Sequence, residues 1–152
     1  MTLPRWLPPF LLALGLAVVT GKPWLDYHVD EARVGQRVLL ALAEESLIEV
    51  QRRLYDIAEF YDLTDEERRL IEQRLLVLPL SGKPCALAGL AKDGTPRRTH
   101  EMSSLLEKLS GSTEPWALVV LDPLARLFPA AESENRLATF AVQLAERLTE
   151  VP

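Results

Sequence analysis

The chain has 152 residues, of which 48% are hydrophobic and 26% charged, the proportions of an ordinary globular domain and not of a disordered or fibrous chain. Its 17 basic and 22 acidic residues give a net charge of −5, which argues against a broad electrostatic grip on DNA but leaves room for a local basic strip. The single cysteine, Cys85, excludes an intrachain disulfide and a cysteine zinc cluster and fits a reducing compartment; it reads as a small hydrophobe.

In chain order, the first feature is an uncharged stretch between Arg5 and Lys22 containing LPPFLLALGLAVV. It matches the apolar core of a signal peptide, with Val19, Thr20 and Gly21 as a small-residue cleavage site. It equally matches a buried helix that starts after Pro8-Pro9 and is ended by Gly21, with Pro23 beyond. A membrane span needs about 20 apolar residues, and this run is too short. A loop from Lys22 to Gln36 follows, and then RVLLALAEES, whose unbroken apolar part over Arg37 to Ala43 predicts a central strand buried on both faces.

Ser46 and Glu49 form an S-x-x-E capping box, and Leu47, Val50, Leu54, Ile57 and Tyr61 recur at helical spacing. Thr64 and Glu67 open a second, charged helix through about Arg74. LLVLPL over Leu75 to Leu80 is a second strand, and Pro79, which donates no ladder hydrogen bond, belongs near its end. Ser81 to Thr99 reads as a long flexible excursion with one turn of helix around Leu87 to Ala91. Met102, Leu105, Leu106 and Leu109 mark a helix from His100 to Ser110 closed by Gly111. Ala117 to Leu121 is the third strand, ending in Asp122, and Leu137, Phe140, Ala141, Leu144 and Leu148 mark a final helix. Strands alternating with helices predict an α/β chain with a parallel sheet, and three strands leave an open edge for a missing piece or a partner.

Glu44, Glu45 and Asp122 then fall at C-terminal strand ends, where open α/β sheets bind ligands. Each has a plain structural alternative: the glutamates can favour the N-terminus of the following helix, and Asp122 can be a turn residue before Pro123. His28 and His100 have no partner at metal-ligand spacing, and the arginine pairs Arg52-Arg53 and Arg68-Arg69 read as solvated faces. Arg97-Arg98, in the excursion, is better placed to meet phosphates.

Read in order, LLALGLAVVTGKPWL, RVLLALAEES followed by QRRL, LTDEERRLIEQRLLVLPLSG and LVVLDPLARLFPAAESEN resemble the RepA-like branch of AAA-type RecA-fold ATPases, the plasmid-type replicative helicases and their relatives. The resemblance spans roughly Leu11 to Val151, and its most specific pieces are A-E-D/E, the strand ending D-P-L-A-R, and E-x-E-N. It implies a three-layer RecA-like P-loop NTPase fold, ATP and magnesium as ligands, action on DNA in replication, homo-oligomers, and a cytoplasmic location without stable membrane association. Glu44 matches the acid that orients or deprotonates the attacking water. Asp122 matches the Walker B aspartate that holds magnesium through its water shell, and Glu45, Glu134 and Asn135 match polar positions nearby.

One departure is plain: no G-x-x-x-x-G-K-S/T occurs in the chain, and Gly21-Lys22 and Gly82-Lys83 are each followed by proline. The resemblance therefore implies one partial domain over residues 1–152, incomplete at both ends and with little ATP hydrolysis by itself. It also favours the buried helix over the signal peptide. Two other readings remain, a non-catalytic docking domain derived from the fold and a small secreted α/β protein.

Overall fold

Val38 to Leu42 are at most 3% exposed, because an apolar run without a polar break must find cover on both faces. The strand they form, β1 (Arg37–Leu42), is central in a parallel sheet between β2 (Leu75–Pro79) and β5 (Trp116–Asp122), in the order β2-β1-β5. The structure, a computed structural model, describes residues 7–129 and 135–149. The α/β class and the parallel sheet are those expected from the sequence. Pro79 is the last residue of β2, opposite Leu42, and the ladder continues past it because the Leu80 N–H donates to the Leu42 carbonyl at 2.9 Å.

Alternation along β1 divides the core. Val38, Leu40 and Leu42 pack with α1 (Leu7–Thr20) and with apolar side chains of α2 (Leu47–Phe60) and α3 (Asp65–Arg74). Leu39 and Ala41 face the opposite way, toward α4 (His100–Ser110), a short α5 (Leu124–Leu127) and α6 (Asn135–Thr149). A sheet covered by helices on both faces results.

The N-terminal run is the buried helix of the two expected alternatives. α1 is apolar nearly all round, and Leu12, Leu16, Ala17 and Val19 are fully buried. Each large apolar side chain so buried contributes about 1.5–3 kcal/mol. Gly21 ends the helix with φ +76°, its N–H donating to the Ala17 carbonyl at 2.8 Å. Gly15 faces the sheet, where a Cβ would come within 2.9 Å of Leu75 Cδ1 and 3.2 Å of Leu40 Cδ1.

Three helices start at hydroxyl caps. Ser46, Thr64 and Thr99 accept from the N–H of Glu49, Glu67 and Met102, and the Thr64–Glu67 pair is fully reciprocal. At the other predicted box, the Glu49 carboxylate reaches Arg52 at 3.0 Å and Arg53 at 3.7 Å.

The excursion is the main correction. The expected helical turn at Leu87 to Ala91 is instead β3 (Ala88–Leu90), paired antiparallel with β4 (Pro96–Arg98). The turn explains it: Asp93 Oδ1 accepts from the Thr95 N–H at 3.0 Å and the Thr95 hydroxyl at 2.6 Å, and Gly94 takes φ +80°. Asp-Gly followed by threonine is a hairpin signal, and it prevails over the weak apolar spacing of Leu87 and Leu90. Arg97 and Arg98 accordingly sit, exposed, on a strand and not in a flexible loop.

Candidate functional site: the carboxylate rim of the sheet

Parallel strands share one C-terminal rim, and here the hydrogen bonds knit it closed. The Ala43 N–H donates to the Asp122 carbonyl at 2.7 Å, in line with the Leu42–Asp122 register. After β2, the Ser81 N–H donates to the Glu45 carbonyl at 3.2 Å. The β1–α2 connection is only Ala43 to Ser46, so Glu44 and Glu45 are held between a strand end and a capped helix start. On the neighbouring strand Asp122 is the final residue of β5, joined to Pro123 by a cis peptide bond, and α5 begins directly afterwards.

The side chains answer to one another. Burial first, and then the negative charges of Glu44 and Glu45, push the Asp122 carboxyl above the ordinary aspartate range. Glu44 is exposed, whereas the Glu45 side chain is only 12% exposed and lies 2.6 Å from Arg53 Nη1. That contact is an ion pair and not an aligned hydrogen bond, since the buried Arg53 Nη1 has no acceptor in line with it. Among the described residues, the arrangement leaves two carboxylates, Glu44 and Asp122, without an ion pair to a basic side chain, and a third, Glu45, paired with Arg53.

The structure thus brings together Glu44, Glu45 and Asp122 as expected from their strand-tip positions. Asn135 is the exposed first residue of α6, its carbonyl accepting from the Thr139 hydroxyl at 3.0 Å, and no hydrogen bond among the described residues ties it to the three acids. Glu134 lies outside the described residues. Arg53 is the residue that sequence reading missed. Placed on a solvated face beside Arg52, it is in fact 18% exposed, against 61% for Arg52. The i, i+4 spacing from Glu49 was the available signal.

Chemically, a rim of carboxylate oxygens suits a hard cation that keeps part of its water, such as magnesium. A positive charge there would offset the Glu44 and Glu45 charges that, after burial, raise Asp122. Direct coordination is another matter: among the described residues no group of three or more His, Cys, Asp or Glu side chains is placed to hold a metal ion. The donor set fits contact through water. It does not fit a triphosphate, because carboxylates repel phosphate oxygens and the sequence contains no glycine-rich loop with its lysine.

A family model described as AAA domain matches residues 10–151. Neither the curated proteins nor the solved structures include a match.

Proposed function

We propose, since this chain belongs to the AAA domain family, that its carboxylate rim is the metal and water side of an ATP-hydrolysing site. The observation that carries the reading is the placing of Glu44, Glu45 and Asp122 on adjacent strand ends, joined by the Ala43 N–H to Asp122 carbonyl bond, at the rim where parallel sheets bind ligands. In this assignment Asp122 would hold magnesium through its water, and the bound cation would supply charge neutralisation at the phosphates. Glu44, exposed and not paired with Arg53, takes the proton of the attacking water. Glu45 is held by Arg53 and acts as a polar neighbour of both, and Asn135 is a further polar contact to the nucleotide.

The finer identity follows the sequence resemblance: a RepA-like, plasmid-type helicase domain whose ATP hydrolysis serves DNA replication or processing in cytoplasmic homo-oligomers. Among the described residues no helix is long and apolar enough to cross a membrane. The phosphate-gripping donors have to come from outside these residues, so the isolated chain turns over ATP slowly or not at all. A docking role in which the fold packs on an active subunit is the second reading, favoured by the half-exposed outer strands β2 and β5.

The test is a fusion that places a strand and a G-x-x-x-x-G-K-S/T loop ahead of Leu7. It should hydrolyse ATP, and Glu44→Gln should lower turnover by about 100-fold or more while ATP binding persists. Unchanged turnover in Glu44→Gln removes Glu44 as the base.

A further inference from the structure

Away from the carboxylate rim, the turn between α1 and β1 presents apolar side chains to solvent. Trp24 and Tyr27 pair with each other's backbone at 2.9 and 3.0 Å, and Leu25 between them adopts φ +54°. That left-handed conformation is uncommon for a residue other than glycine, and here it closes the tight turn between Trp24 and Tyr27. The resulting loop leaves Leu25 61% and Tyr27 70% exposed. Beside it, at the end of α2, Phe60 is 83% exposed, and the next turn holds Asp62 at φ +48°.

Between these two turns lies a cavity of about 300 Å³ lined by Phe10, Trp24, Leu25, Ile57, Phe60 and Tyr61. Its base is rigid: the Trp24 indole N–H donates to the Phe10 carbonyl at 3.2 Å, and the two rings meet edge to face at 4.4 Å. Its surroundings are acidic. On balance, residues 22–33 and 52–69 contain nine carboxylates, Asp56 among the cavity's own walls, against one lysine and five arginines. Glu59 is held by Arg68 and Glu67 by Lys22, and Arg52 stands near Asp56, while Asp26 and Asp62 flank the apolar opening in sequence.

We propose that this face docks a lysine- or arginine-rich segment of another protein that carries one large apolar side chain. The apolar group fills the cavity over Phe10, Trp24 and Ile57, and the cations meet Asp26, Asp56 and Asp62. Charge complementarity selects this occupant: an anionic membrane or nucleic acid is repelled by the same carboxylates, and a second copy of this acidic face repels itself. The site is independent of any nucleotide chemistry at the sheet rim.

The test uses the full chain and a short fluorescein-labelled peptide of lysine, alanine and one tryptophan, read by anisotropy. It should bind, lose affinity steeply between about 50 and 500 mM salt, and bind the Leu25→Gly/Phe60→Ser double variant at least about tenfold more weakly. Leu25→Gly relieves the left-handed backbone and Phe60 is outside the core, so an unchanged circular dichroism spectrum will show that the variant is folded. The proposal is overturned by equal affinity of the double variant, by equal binding of the glutamate version of the peptide, or by no binding of the lysine peptide. It is equally overturned if sedimentation finds a dimer in the parent chain that the double variant loses, since a second copy then covers the face.

Discussion

At the scale of single residues, Asp122 couples stability to pH with a defined sign. Its folded-state carboxyl binds protons more readily than in the unfolded chain, so the folded state carries the excess proton and stability from this group falls as pH rises through that raised range. Asp122→Asn should therefore melt higher than the parent at pH 7 and equal it near about pH 3, below the ordinary aspartate value. Millimolar magnesium should raise the melting temperature of the parent at pH 7 and leave Asp122→Asn unmoved, because only an ion seated at the rim stabilises by linkage. A magnesium response of equal size in both proteins places the ion elsewhere. Glu44, Glu45 and Asp122 were legible in the sequence because strand ends follow from local apolar runs. Arg53 was not, because its ion pair with Glu45 depends on how α2 folds back over the rim.

Secondary-structure elements differ in how much of their stability is written locally. The Thr64–Glu67 box occupies four consecutive positions of the chain, and Thr64→Ala should cost about 1 kcal/mol in urea unfolding, with Glu67→Ala sharing part of the same loss. Additive effects of the two changes would show that the pair is not reciprocal. Gly15 in α1 represents the opposite case. Nothing near it in sequence announces a constraint, yet Leu75, Leu40 and Val38 stand where its side chain would go. Gly15→Ala gains about 1 kcal/mol of helix propensity against a small local shift of Leu75, whereas Gly15→Leu overpacks the helix–sheet seam and should cost about 1–3 kcal/mol or more. Gly15→Leu as stable as the parent would mean that α1 stands off the sheet. The same distinction explains the hairpin at Ala88 to Arg98: apolar spacing over three-residue strands is too short to separate helix from strand, and the turn chemistry of Asp93-Gly94 decided it.

At the scale of the whole fold, the two outer strands carry the consequence of a sheet with three members among the described residues. β1 has a hydrogen-bonded neighbour on each side, whereas β2 and β5 have one each, and every residue of both outer strands is half-buried. The alternation of strands and helices made the parallel arrangement readable. The order β2-β1-β5 was not, because pairing of β1 with a strand about 80 residues later is a long-range choice that local spacing does not encode. Native-state hydrogen exchange separates the consequences: amides of Val38 to Leu42 should exchange only by global unfolding, and β5 should divide into slow amides directed at β1 and amides faster by about 100-fold or more on its open side. A groove of about 550 Å³ runs along that side between Trp116, Val119 and Leu121 of β5 and Ala145 and Leu148 of α6. Uniform slow exchange along β5 at low protein concentration would mean that the groove is covered within the chain. Protection that appears only as concentration rises would mean that chains pair through this edge, and the docking reading would then gain over the catalytic one.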